Sequence, residues 1–200
     1  MKRVITVSER ELKKLATQLL DRMVADGFSP DVLIGIANGG AHVVGALPND
    51  RYINQFTCRL QRPSTALKDR ASIGQRIVGA LPYRVTDLLR VAEDRLAQRG
   101  SVTLPAAPPS LDESLRIAAR AICEDGLRNI AVVDDAVDSG GTLVRVVGAL
   151  RELLPPDADV RTAVITRTRR PDQTLLEPDY FLFESTLCRF HWAPDYRGVT

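Results

Sequence analysis

Lysine is scarce in this chain of 200 residues: Lys2, Lys13, Lys14 and Lys68 are the only four, and arginine supplies the rest of the 27 basic side chains. An anion contact beyond the first helix therefore falls to arginine, to backbone N–H groups or to Lys68. Cysteine is scarcer. Cys58, Cys123 and Cys188 are odd in number, dispersed and without a CxxC pair, which argues against a disulfide framework and against a structural zinc site. A surplus of charge is missing too: the formal net charge is +2, and nothing in it points to nucleic acid. No apolar run approaches the ~20 residues of a membrane span. The opening MKRVITVSERELKK turns polar too soon for a signal peptide, so no membrane partner is expected and a reducing cytoplasm is the expected home. Internal repeats and low-complexity segments are absent as well, and the length suits a single domain over 1–200.

What is present alternates between strand and helix. ITV opens as a short strand, and Ser8 with Glu11 three residues on forms a capping box for a helix carrying Leu12, Leu15, Leu19 and Met23 and stopped at Gly27. DVLIGIANGG is a buried strand running into a glycine turn, followed by a helical AHVVGAL and a strand in RYINQFTCRL. From Gln61 to Pro109 the pattern loosens, apart from an amphipathic helix through Val85, Leu88, Leu89, Ala92 and Leu96. LDESLRIAARAICEDG, TLVRVVGALREL and DVRTAVITRT read as helix, helix and strand around a further strand at Ile130, and DYFLFES and CRFHWAP are strand-like. This alternation predicts an α/β fold, a mainly parallel sheet flanked by helices, with ligands at the carboxyl ends of the strands.

Both glycine turns, ANGG and DSGGT, stand at such ends. The second closes the stretch IAVVDDAVDSGGTL, Ile130 to Leu143, in which an apolar strand ends in Asp134, Asp135 and Asp138. A turn of this kind leaves backbone N–H groups converging at a helix start, where the helix dipole adds positive charge, and that suits a phosphate. Ser139 and Thr142 add hydroxyl donors, and Gly140 and Gly141 allow close approach. Carboxylates repel phosphate, so Asp134 and Asp135 must face ribose hydroxyls or a metal ion. Helix capping accounts for one Asp or Ser at such a place, not for three carboxylates in five positions. No Gly-Lys-Ser/Thr follows the turn, and GIANGGA lacks GxGxxG spacing, which disfavours a nucleotide triphosphatase or a dinucleotide site.

IAVVDDAVDSGGT resembles, at every position, the phosphoribosyl pyrophosphate signature of the type I phosphoribosyltransferases. VITVSERELKKLATQL before DVLIGIANGGA, and VITRTRRPDQTLLEPDYFLFES near the end, are similar to segments of the hypoxanthine-guanine group. FHWAPDYRG is similar to the close of that group and of the xanthine-guanine enzymes. The resemblance implies that family's fold, with a small C-terminal hood and, here, a helical or loop insertion at about 62–109 that matches nothing in it. It implies magnesium-dependent transfer of the phosphoribosyl group to a purine-like nitrogenous base with release of pyrophosphate, as in nucleotide salvage, by a homodimer or homotetramer.

Carried over residue by residue, the resemblance gives Asp134 and Asp135 the ribose hydroxyls. Asp138, Ser139, Gly140, Gly141 and Thr142 surround the 5-phosphate, and Asp138 also manages the proton on a ring nitrogen. Asn38, Gly39 and Gly40 fall at the pyrophosphate loop, with Arg197 and Lys68 as further pyrophosphate contacts. Phe190 is the aromatic residue that stacks on the base, with the His191 backbone beside it. Asp134 and Asp195 make up the metal ligands. Two positions depart from the pattern. Thr166 stands where the hypoxanthine-guanine enzymes place a lysine that reads the 6-oxo group, leaving Arg167, Arg169 or Arg170 as substitutes, although solvated loop arginines are at least as good a reading of the last two. Asn38 stands where a basic residue or a backbone contact is usual. QRPSTALKDR, with Arg62, Lys68 and Arg70, reads equally as a mobile lid over pyrophosphate and as a basic surface loop. His42 is expected to pack within its helix, and Trp192 reads equally as core or pocket. Two other functions stay open: a phosphoribosyl pyrophosphate-binding regulator that has lost transfer, and a transferase with a non-purine acceptor.

Overall fold

The computed structural model describes residues 2–48, 53–59, 81–98 and 113–198. Five strands form one parallel sheet in the order β3 (Asn54–Cys58), β2 (Val32–Ile36), β4 (Asn129–Val137), β5 (Asp159–Arg167), β6 (Tyr180–Glu184). β2 and β4 are neighbours at its centre, with Gly35 opposite Val133. Both faces of the sheet's centre are covered, so β2 and the first part of β4 read as continuous apolar runs. On β4, Ala131 and Val133 face α1 (Glu9–Ala25) and α2 (Gly39–Gly45), where they join Leu12, Leu19, Met23 and Val43 in one core. Ile130 and Val132 face the other way, into a second core with Leu115 and Ile122 of α4 (Glu113–Glu124) and Leu143 and Leu150 of α5 (Gly141–Leu153).

The expected capping box starts α1: the Glu11 N–H donates to Ser8 Oγ at 3.3 Å and the Ser8 N–H to Glu11 Oε2 at 2.8 Å. Gly27, at φ +83°, follows the helix in the left-handed conformation that terminates helices. Among the described residues no helix is long and apolar enough to cross a membrane.

The hood is a second, two-stranded parallel sheet of β1 (Arg3–Val7) and β7 (Thr186–Phe190). The helix of the insertion, α3 (Tyr83–Gln98), is bound to it, and in an orientation that the periodicity does not suggest. Val85, Leu88, Leu89 and Leu96 are exposed, and the polar side docks instead. Lys2 Nζ pairs with Asp94 at 2.7 Å, Arg90 pairs with Asp195, and Arg189 Nη2 donates to Thr86 Oγ1 at 2.8 Å and to Asp87. Arg189 is fully buried, and its guanidinium also lies 4.2 Å from the Tyr83 ring centroid. A buried guanidinium needs hydrogen-bonding partners in nearly every direction: Asp195 meets Nε and Thr6 meets Nη1, while Thr86 and Asp87 on the polar side of α3 meet Nη2. That requirement sets the helix orientation against its apolar stripe.

Candidate active site

The two glycine turns lie side by side because β2 and β4 are adjacent. After β2 the chain turns through a cis Ala37–Asn38 peptide into α2, whose first residues rest directly on β4. A Cβ on Gly40 would stand 2.1 Å from the Val133 carbonyl oxygen, and one on Gly39 would stand 2.1 Å from the Asp135 carboxyl carbon. Glycine is thus required at both positions by the closeness of backbone and carboxylate. After β4, Gly140 adopts φ +74°, and a Cβ there would also meet Leu176 O at 2.7 Å. The Leu175 N–H donates to Ser139 O at 2.8 Å, which folds the segment after β5 over this turn.

Asp134 and Asp135 are held between the turns. The Asp135 N–H donates to Asp134 Oδ1 at 2.9 Å. Burial, and next the charge of Asp135, push the Asp134 carboxyl up to about 8, and burial raises Asp135 as well. An unfolded Asp titrates near pH 4. The proton retained in the fold therefore contributes stability that is complete below that value and is lost as pH rises through about 8. The ligand-free protein is expected to melt at progressively lower temperature between about pH 5 and pH 8. Asp135→Asn, which removes the mutual repulsion, is expected to flatten that trend. Scanning calorimetry at stepped pH checks it, and a variant with the wild-type slope contradicts it.

The same pair fits a hard divalent cation. Magnesium takes one or two carboxylates and completes its shell with water and substrate phosphates. Two crowded, half-buried carboxylates beside two glycine turns offer that donor set, and among the described residues no cluster of three or more His, Cys, Asp or Glu offers a protein-only one. Asp195 does not join them. It is 3% exposed, and its two oxygens accept from Arg90 and from Arg189 Nε, the latter at 2.8 Å. Burial alone would raise its pKa, but these arginines hold it far below the usual carboxylate range. The expected second metal ligand is instead the anchor of α3 to the hood.

The acceptor side differs most from expectation. Thr166 is fully buried, and its hydroxyl donates to Thr186 O at 2.7 Å, tying β5 to β7. Arg167 pairs with Glu177 and with Glu184, its neighbour in the β5–β6 register, and lies 4.4 Å from the Phe181 ring centroid. Neither is at the mouth of the site. Phe190 is a core residue at 4% exposure, with Trp192 stacked on it at 4.6 Å and His42 stacked on Trp192 at 4.4 Å. The expected stacking platform is therefore the inner ring of a three-ring pile. His191 sits edge-on to Trp192 at 4.8 Å, and its buried Nδ1 has no hydrogen-bond partner among the described residues. The Arg197 N–H donates to Tyr83 Oη at 2.7 Å, so the tail is tied to α3. Lys68, with Arg62 and Arg70, lies outside the described residues.

What the sequence reading undervalued is Arg169. It is 6% exposed, and its Nε and Nη2 donate to Asp138 Oδ1 at 2.7 Å and Oδ2 at 3.2 Å. Thr168 Oγ1 lies 3.0 Å from the same Oδ1. This is no solvated loop arginine. The signal was there in outline: RTRR leaves β5 beside the strand end that carries Asp138, as the Thr168 N–H to Val137 O bond of 2.9 Å records.

Solved structures that share this architecture include the xanthine-guanine-hypoxanthine phosphoribosyltransferase of Helicobacter pylori, at TM-score 0.55 and 16% identity, covering 96% of this chain and 93% of that one. The chain has the phosphoribosyltransferase fold. A purine phosphoribosyltransferase from Pyrococcus horikoshii Ot3 superposes at TM-score 0.53 and 16% identity over 98% of both chains. A hypothetical protein from Neisseria gonorrhoeae with bound ppGpp does so at 0.52 and 16% identity, over 96% of this chain and 90% of that one. No family model matches the sequence, and no curated protein does. Within the phosphoribosyltransferase fold the two turns and the acidic pair sit at the carboxyl ends of the central strands, where open parallel sheets bind ligands.

Proposed function

We propose that this protein transfers the phosphoribosyl group of phosphoribosyl pyrophosphate to a purine-like nitrogenous base, releasing pyrophosphate in a magnesium-dependent reaction of cytoplasmic nucleotide salvage. The observation that carries the reading is the juxtaposition of two glycine turns with Asp134 and Asp135 between them. Ser139 to Thr142 would hold the 5-phosphate, Asp134 and Asp135 the ribose hydroxyls, and Asn38 to Gly40 the pyrophosphate, with Arg197 and Lys68 as further contacts. Magnesium, held through Asp134 and the donor's phosphates, would supply positive charge against the departing pyrophosphate.

The bond from C1 to the pyrophosphate oxygen breaks as a C1–N bond forms on the opposite face, so the configuration at C1 inverts. Donors preorganised around the leaving group lower this barrier, each by about 3 kcal/mol. The base nitrogen carries a proton into the reaction and must lose it, and the half-exposed carboxylate of Asp138 would accept it. Isothermal titration tests the donor half. Phosphoribosyl pyrophosphate with magnesium is expected to bind, and Asp134→Asn to weaken it at least tenfold, or about 1.4 kcal/mol. Undiminished binding by that variant would remove the acidic pair from the donor site.

A second copy of the chain is the proposed partner, and the outer stripe of α3 supports it. Val85, Leu88, Leu89 and Leu96 stand exposed in one row, and at 3.6 residues per turn the exposed Glu93 and Arg95 fall on its opposite flanks. Two such helices packed in parallel bury the rows and set Glu93 of each toward Arg95 of the other. Leu88→Glu is expected to yield a monomer by light scattering, with its secondary structure intact. A variant that keeps the wild-type mass excludes this face as the interface.

A further inference from the structure

The proposed reaction leaves one group unused. Arg169 is buried, comes from the segment after β5, and closes on a carboxylate 31 residues away in sequence. A guanidinium approaching edge-on through Nε and Nη2 matches both oxygens of a carboxylate and fixes its plane as well as its position. Thr168 Oγ1 is a third polar contact on the same side, at Oδ1. A carboxylate has about four lone-pair sites. With three of them faced by Arg169 and Thr168, the direction left over lies on Oδ2, toward the open side of a group that is 49% exposed. The β4–β5 pairing, with Val137 opposite Arg167, makes this clamp part of the sheet frame and not of a loose loop.

We propose that Arg169 is the positioning residue of the transfer reaction: it locks the Asp138 carboxylate in the one orientation that presents a free lone pair to the N–H of the incoming base. This rests on the reading that Asp138 receives the base proton. Arg169 itself gains or loses no proton. The proton passes from the ring nitrogen to Asp138 Oδ2 as the C1–N bond forms, and the pyrophosphate leaves with the C1–O electron pair. The role accounts for a buried cation at this place when Thr166 and Arg167, the positions expected to serve the acceptor, are turned into structural contacts. A clamp of this kind acts on geometry, so its loss shows in kcat and not in donor affinity.

The test is a kinetic cycle on the full chain with phosphoribosyl pyrophosphate, magnesium and whichever base the wild-type protein turns over. Arg169→Lys keeps a charge in the buried site, so the fold survives, but it cannot make the edge-on double contact. It is expected to lower kcat about 10- to 100-fold with the KM for phosphoribosyl pyrophosphate within about twofold, since a displacement near 1 Å can cost that much. Added to Asp138→Asn, the same substitution is expected to cost nothing further, because the two act as one unit. Wild-type kcat in Arg169→Lys overturns the proposal, as does a loss that multiplies with that of Asp138→Asn. A wild-type protein that releases no pyrophosphate with any base overturns the transferase reading and this inference with it, an outcome distinct from the other two.

Discussion

Asp138→Asn is expected to lose turnover by about 10²- to 10⁴-fold while its affinity for phosphoribosyl pyrophosphate changes little. Asparagine keeps the shape of the side chain but cannot take a proton from the base. The carboxamide also turns its NH2 toward one of the Arg169 donors, leaving a buried guanidinium N–H facing another donor where Asp138 accepts at 2.7 and 3.2 Å. Leaving such a group unsatisfied costs about 1–3 kcal/mol, so a fall in unfolding temperature is expected alongside the kinetic loss. Donor affinity persists because Ser139, Gly140 and the α5 N-terminus are untouched. Steady-state kinetics, calorimetric titration and thermal unfolding on one preparation separate these effects. A variant that melts lower but retains wild-type kcat would assign Asp138 to structure and place proton transfer elsewhere.

Gly40→Ala carries the second large effect, and on a different quantity. The added methyl would lie 2.1 Å from Val133 O, 3.0 Å from its carbonyl carbon and 3.1 Å from Asp134 Cα, all of them backbone atoms of the central strand. No rotamer relieves that contact. Either α2 lifts from β4 or the strand bends, and overpacking of this kind costs about 1–3 kcal/mol or more. Lifting α2 also moves the Asn38–Gly40 turn, the proposed pyrophosphate contact, away from Asp134, so donor binding is expected to fail in whatever fraction folds. Gly45, on the same helix, is the control: nothing lies within 4 Å of a Cβ there, and alanine is favoured over glycine in a helix by about 1 kcal/mol. Gly45→Ala is therefore expected to melt at or above the wild type. Equal unfolding temperatures and donor affinities in Gly40→Ala and wild type would contradict the packing argument.

The arrangement of the acidic residues and the glycine turn after β4 was legible in the sequence because it is local. Asp134 to Thr142 follow one another along the chain, and their arrangement depends on one strand, one turn and one helix start. The parallel sheet was legible for the same reason, since β2 and β4 announce two-sided burial by the apolar runs VLIGI and IAVV. The acceptor half depends on contacts that no spacing encodes. Arg169 meets Asp138 because β5 pairs with β4, and Phe190 disappears into the core because Trp192 and His42 close over it. Helix α3 is the clearest case. Its apolar row was visible, but the direction that row takes is set by Arg189, a buried charge about a hundred residues later, which draws Thr86 and Asp87 inward. Asp195 was read as a metal ligand on resemblance and is held by arginines instead, because Arg90 lies in an insertion for which the resemblance offers no counterpart.

The central claim is that this site joins phosphoribosyl pyrophosphate to a base. Pyrophosphate release by the wild-type protein, measured with phosphoribosyl pyrophosphate, magnesium and a panel of purines, pyrimidines and other nitrogen heterocycles, tests it most directly. The account predicts release that requires a base and is greatest with a purine. Tight binding of phosphoribosyl pyrophosphate with no release in the presence of any acceptor would contradict it and would mark the protein as a binder of that compound without transfer.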